Sequence, residues 1–243
     1  MWPTTRPLDD EGLRSLYAMP VGEPRLRTNF VSTLDGSAQG PDGRTGSINT
    51  STDRQVFGLM RAFADLVLVG AGTARVEGYQ AVQLNQAQRA ARAAVGLTGI
   101  PMLAVVSRSL KLDPAITAAR DCGQVMVITG AAGDAGPLAD AGVEVLRCPG
   151  PGGVDLRRAL GRLTERGLTR TLCEGGPTLH RQLLADGLVD DVCLTFVPTM
   201  VAGLGRRVTD GPPLQADFEL AHLIVDQDGT VLGRWTRRSD PKA

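Results

Sequence analysis

Seven short apolar runs punctuate the first two hundred residues of this chain: RLRTNFVSTLDG (25–36), DLVLVG (65–70), PMLAVVS (101–107), QVMVITG (124–130), VEVLRC (143–148), TRTLCEGG (169–176) and DDVCLTFVP (190–198). Runs this short and this apolar suit strands buried on both faces. Amphipathic stretches separate several of them. TSTDRQVFGLMRAFA opens on Thr, Ser and Asp capping options and then carries Val56, Leu59, Met60 and Phe63 at helical spacing. VDLRRALGRLTERG repeats the design with Leu156, Leu160 and Leu163 and stops at Gly167. PTLHRQLLADG starts with proline in the first turn, where a missing N–H costs nothing, and ends at Gly187. Alternation of this kind predicts an α/β fold whose parallel strands are joined by right-handed crossovers.

The end of the chain breaks the alternation. FELAHLIVD and VLGRWTRR flank a QDGT turn, which predicts an antiparallel hairpin at one edge of a mixed, mostly parallel central sheet. Val231, Leu232 and Trp235 are expected to be exposed on the edge strand. Residues 78–99 read as a surface excursion with a helical portion. With no repeat or linker in view, 1–243 reads as one domain, with its core in about 25–236 and an N-terminal extension over 1–24.

Composition narrows the partners. Lys+Arg and Asp+Glu both number 26, so the formal net charge of zero offers no general attraction for nucleic acid or an anionic membrane. Any anion must be bound locally. No run is long enough to span a bilayer and MWPTTRPLDDEGLRSL lacks the apolar core of a signal peptide, so a cytoplasmic location is expected. Cys122, Cys148, Cys173 and Cys193 are far apart and lie in or beside apolar runs, which reads as buried free thiols. With His180 and His222 the only histidines, no metal site is expected. His180 reads as a helix residue near a ligand, and His222 as a strand residue with no special role.

In open α/β sheets ligands bind at the carboxyl ends of the strands. In VGAGTARVEG, Gly70 and Gly72 permit a close backbone approach and Thr73 adds a hydroxyl and an N–H at a helix start. A pyrophosphate seat and a plain glycine turn stand equal there, and the third glycine of the dinucleotide fingerprint is missing. LCEGGPTLH has stronger punctuation. Gly175 and Gly176 free the backbone, Pro177 opens a helix, and the N–H groups of Thr178 and Leu179 become orphan donors at a positive dipole end, which makes a phosphate seat. Glu174 beside that seat either faces a different ligand, such as a heterocycle, or pairs with an arginine. Ser107 and Arg108 offer a hydroxyl and a guanidinium directly after a strand, a combination suited to the 2′-phosphate of NADPH.

Taken in order, NFVSTLDG, TGSIN, LMRAFADLVLVGAGT and LCEGGPTLHRQLLADGLVDDVCLTFVPTMVAG resemble the riboflavin-biosynthesis pyrimidine reductases over about residues 25–236. The resemblance implies the dihydrofolate reductase-like three-layer fold, NADPH as cofactor, a small heterocyclic substrate and a homodimer. It assigns Val31, Ile48, Thr73, Glu77, Arg108 and the Gly176–Gln182 turn to the cofactor side, and Gly46, Arg61 and Glu174 to the substrate side. Asn29 stands where the family has Lys or Asn facing the reacting centre, and Asp35 of the LDG turn is an active-site candidate or a turn residue. The implied reaction is hydride transfer from NADPH to the sugar C1′ of 5-amino-6-(5-phosphoribosylamino)uracil, giving the ribitylamino product.

Three departures qualify the resemblance. Leu84 stands where the bifunctional members carry a phosphate-binding arginine, so Arg89, Arg92, Arg206 and Arg207 are candidate substitutes. No zinc deaminase pattern occurs in the first two dozen residues. Ser107-Arg108 replaces a more usual Asp-Ser. A same-fold reductase of a pterin or dihydrofolate, and a non-catalytic NADPH-binding protein, are the alternatives.

Overall fold

The computed structural model describes residues 7–117, 121–151 and 153–238. In chain order its elements are α1 (Asp10–Tyr17), β1 (Arg25–Thr33), α2 (Ser51–Phe63), β2 (Leu66–Gly70), α3 (Ala71–Glu77), α4 (Gln86–Ala94), β3 (Met102–Val106), β4 (Val125–Thr129), α5 (Gly136–Asp140), β5 (Glu144–Arg147), α6 (Leu156–Thr164), β6 (Arg170–Cys173), α7 (Pro177–Ala185), β7 (Asp191–Val197), β8 (Phe218–Val225) and β9 (Val231–Arg237). All seven apolar runs are strands. They form one sheet in the order β5-β4-β3-β2-β6-β1-β7-β9-β8. The seven strands from β5 to β7 are parallel, and β9 and β8 close the far side antiparallel.

Period-two alternation divides the core into layers. Leu66 and Leu68 of β2 point to the face covered by α6 and α7, where they meet Leu156, Leu163, Leu179 and Leu183. Val67 and Val69 point the other way, to the side of Ala74 and Leu138. Farther along that second face, α2 lays Val56, Met60 and Phe63 on Leu172, Cys193 and Leu232. The result is the expected three-layer, mixed α/β architecture. Among the described residues no helix is long and apolar enough to cross a membrane.

One expectation is corrected. VLGRWTRR is not the edge strand: β9 is sandwiched between β7 and β8, Leu232 is buried, and the Trp235 ring folds over Gly233, whose missing side chain leaves room for it. The edge is β8, where Leu220, Leu223 and Val225 are 55%, 47% and 66% exposed. In the segment before β1, α1 sets Tyr17, 1% exposed, into the α2 layer, and the Arg27 guanidinium donates to the Tyr17 carbonyl. The excursion over 78–99 holds α4, which Asn85 and Gln88 start with a capping box.

Candidate active site

Parallel strands β2, β6 and β1 lie side by side, and the segments leaving their carboxyl ends enclose a cleft of about 700 Å³ together with α2 and the 38–46 loop. One wall is made of backbone. The Gly70 N–H donates to the Gly175 carbonyl at 2.7 Å, tying the start of α3 to the start of α7. The N-cap positions of those helices are Gly70 and Gly176, and neither supplies a side-chain cap. The first-turn N–H groups, including those of Thr178 and Leu179, therefore have no acceptor within their helix. The approach is close: a Cβ on Gly176 would stand 2.3 Å from Thr73 Oγ1, and one on Gly175 would stand 2.9 Å from the Phe30 ring. Gly175 has φ +89°, a region that disfavours side chains, whereas Gly176 at φ −78° is conformationally ordinary. The peptide between them is cis. At the end of β3, Ser107 is buried with its Oγ unpartnered, and Arg108 beyond it is exposed, its aliphatic stem against Gly153.

The opposite wall is made of side chains. Asp53, Phe57 and Arg61 recur at four-residue spacing along α2, so they form one stripe down the cleft, rising about 12 Å from end to end. Arg61 is committed. Its Nε and Nη2 donate to the two Glu174 oxygens, each at 2.7 Å, and the Tyr79 hydroxyl donates to Glu174 Oε2 at 2.7 Å. The guanidinium also lies 4.4 Å from the Phe57 ring centroid. Burial by itself would lower the Arg61 pKa, but the Glu174 carboxylate outweighs it and leaves the value raised. Burial, with Glu174 adding to it, pushes the Tyr79 phenol well above its ordinary range. Glu174 thus pairs with an arginine, one of its two readings, and also lines the cleft, as the other requires. At the other end of the stripe Asp53 is 4% exposed, its pKa raised by burial against an opposing hydrogen bond from the Thr195 hydroxyl.

Most of the expected residues meet here. Asn29, Val31, Gly46, Arg61, Gly72, Thr73, Glu77, Glu174, Gly176 and Pro177 line the cleft. Glu77 accepts from the Thr45 N–H at 2.9 Å and so pins the mouth loop, and Ile48 packs behind Val31. Gly70, Gly175, Thr178 and Leu179 are not among the lining residues, although Gly70 and Gly175 tie the backbone wall together and Leu179 packs in the core. Ser107 and Arg108 are not among the lining residues. Asp35 is absent from the lining too. Its exposed carboxylate accepts from Thr33 Oγ1 and from the N–H groups of Val201 and Ala202 at 3.2 and 2.7 Å, which is turn work. Leu84 is a core residue, 5% exposed, and is not among the lining residues. Of the candidate substitutes, Arg92 is buried against the carbonyls of Ala62, Ala64, Thr98 and Gly99, and Arg89 pairs with Asp121. Arg206 lines the cleft; Arg207 does not.

Sequence reasoning missed Asp53, Asn49, Phe57 and Tyr79. Asp53 had a detectable signal. Thr50 caps α2 by accepting from the Asp53 N–H at 3.2 Å, so the TSTD run holds more capping groups than one helix start uses.

Residues 24–232 match the family model described as the RibD C-terminal domain. A 2,5-diamino-6-ribosylamino-4(3H)-pyrimidinone 5′-phosphate reductase from Archaeoglobus fulgidus is 23% identical over 181 residues, covering 74% of this chain and 83% of the relative. Among solved structures, a pyrimidine reductase-like protein from Corynebacterium diphtheriae matches with TM-score 0.80 and 26% identity, covering 94% of this chain and 99% of the other. A dihydrofolate reductase from Enterococcus faecalis matches with TM-score 0.50 and 12% identity, over 88% of this chain and 97% of the other, which shows the fold. By family model, curated relatives and fold together, this chain belongs to the RibD C-terminal domain family, the pyrimidine reductases of riboflavin biosynthesis with a dihydrofolate reductase-like fold.

Proposed function

We propose that the chain is an NADPH-dependent reductase that converts the ribosylamino group of a phosphorylated pyrimidine to ribitylamino. The observation that carries this reading is the meeting, in one cleft, of a glycine-built helix start with the side-chain stripe of α2. The residues present fit a dinucleotide: two uncapped helix starts, an approach that a Cβ on Gly176 would fill, and the unpartnered Ser107 Oγ at the next strand end. In this reading the N–H groups of Thr178 and Leu179 hold the pyrophosphate, and Ser107 and Arg108 meet the 2′-phosphate. Thr73 buttresses Gly176, and Val31 and Ile48 give the nicotinamide an apolar floor. NADPH, when bound, supplies the hydride received at the sugar C1′.

The protein's own part is placement. Asn29 orients the opened sugar. The Arg61–Glu174–Tyr79 unit fixes the far wall, and the Arg61 guanidinium is the cation there that meets the substrate phosphate. The final proton comes from water. The family reading also carries a two-fold homodimer, for which the exposed β8 edge is our choice of interface.

NADPH oxidation by the pure protein tests the function, with the pyrimidine phosphate and dihydrofolate offered in parallel. Turnover of the pyrimidine alone is expected. Preferred turnover of dihydrofolate would give the pterin reading the site, and tight NADPH binding without oxidation of either would make the chain a non-catalytic binder.

A further inference from the structure

The stripe of α2 begins at a buried carboxylate with no ion pair among the described residues, and an unpartnered amide oxygen lies just before it. Asp53 lines the cleft, is 4% exposed, and makes no ion pair among the described residues; its side-chain hydrogen-bond partner is the Thr195 hydroxyl. Its carboxylate is not needed as a cap, because Thr50 serves α2. Asn49, four residues earlier in the chain, lines the same cleft with its Oδ1 buried and unpartnered. A buried acceptor left unmet is costly, and so is a buried carboxylate without a cation, so a cleft that holds one of each asks for a ligand rich in donors. Glu174, which lines the same cleft, already accepts three hydrogen bonds within the protein, so Asp53 has more acceptor capacity left for a ligand.

We propose that Asp53, seconded by Asn49, reads the donor edge of the substrate's pyrimidine ring and selects a 2-amino-4-pyrimidinone over a uracil. This rests on the reading of the cleft as a pyrimidine reductase site. A 2-amino-4-pyrimidinone presents N3–H and the 2-amino group side by side, two donors that meet the two oxygens of one carboxylate in parallel, charge-assisted bonds. Uracil keeps N3–H but puts the C2 carbonyl where the amino group was. One bond is lost and two oxygens are set against each other. The rise of about 12 Å along α2 from Asp53 to Arg61 suits a ligand with its ring at one end and its phosphate at the other. Burial raises the Asp53 pKa, so a donor-rich ring edge also stabilises the carboxylate form that burial alone disfavours.

Titration calorimetry with two unreactive ligands tests the proposal: the ribitylamino products of the 2,5-diamino-pyrimidinone phosphate and of the 5-aminouracil phosphate. Wild type is expected to bind the diamino compound at least about tenfold more tightly, the worth of one charge-assisted hydrogen bond. Asp53→Asn presents one acceptor and one donor, matches the uracil edge, and is expected to invert the ratio. Should that variant fail to fold, the wild-type ratio decides alone, and equal binding or a uracil preference overturns the proposal. An unchanged ratio in a folded Asp53→Asn overturns it too. If both parent substrates are still reduced in those cases, the pyrimidine reductase reading stands without Asp53. If neither ligand binds and neither substrate is reduced, both readings fall.

Discussion

The two walls of the cleft are built from different materials. Where α3 and α7 start, recognition is offered by main-chain N–H groups, and what matters about Gly175 and Gly176 is the side chain each lacks. Along α2, recognition is offered by Asp53, Phe57 and Arg61, and what matters is which of them the protein has already engaged. A backbone wall tolerates little change in shape and responds weakly to pH. A side-chain wall tolerates reshaping and is tuned by charge. The contrast teaches that a phosphate-bearing cofactor common to many reactions can be held by geometry, whereas the choice of heterocycle is left to residues that substitute one at a time.

Mutations can break this comparison, starting with the largest effect. Gly175→Val puts a branched side chain at φ +89° and against the Phe30 ring, so NADPH binding is expected to be lost by more than about a hundredfold. Cofactor fluorescence titration reads it, and near-normal affinity would show that this wall is only a turn. Next comes the side-chain wall. Arg61→Met strands the Glu174 carboxylate, whose side chain is 2% exposed, and is expected to cost about 3–5 kcal/mol in denaturant unfolding. Adding Glu174→Gln should recover a good part of that loss. A single-variant cost below about 1 kcal/mol would mean that the pair behaves as a surface one.

Smaller effects sharpen the contrast. Arg108→Ala removes one exposed cation from the cofactor side, and about a fivefold loss of NADPH affinity with no change for NADH is expected. Equal changes for both cofactors would remove Arg108 from the 2′-phosphate. The smallest effect is a pH dependence confined to α2. Burial holds the Asp53 pKa above the ordinary 3.8, so the fold favours its protonated form. That contribution is present below the unfolded pKa and is lost as pH rises through the folded value. At neutral pH the ligand-free Asp53→Asn protein is therefore expected to melt slightly higher than wild type, with the gain fading toward pH 4. A melting difference that does not vary with pH would contradict the burial argument.

The backbone wall was legible in the sequence because its chemistry is local. Two glycines and a proline between RTLC and TLHRQLL announce a strand, a tight turn and a helix start within a dozen residues, and each lies where it was expected. The strands were legible for the same reason, since buried parallel strands are apolar on both faces. The side-chain wall depends on distant pairings. Arg61 and Glu174 are 113 residues apart, and both were named for the substrate side, yet nothing local told that they would meet each other. Asp53 was hidden by its own neighbourhood, where Thr50, Ser51 and Thr52 made it look like one more capping group. At Leu84, where the resemblance marks a missing phosphate ligand, the chain has a core residue beside Val82 and Ala81, a packing role that its loop sequence did not announce.

The central claim is that the two walls serve one hydride transfer from NADPH to a ribosylaminopyrimidine phosphate. It is tested most directly by a single-turnover reaction with NADPH carrying deuterium in either of its two transferable nicotinamide positions, followed by mass and NMR analysis of the product. One of the two labelled cofactors is expected to place a single deuterium on the former sugar C1′ of the ribitylamino product, and the other none. A product without deuterium from both, or deuterium delivered only to dihydrofolate, would contradict the claim.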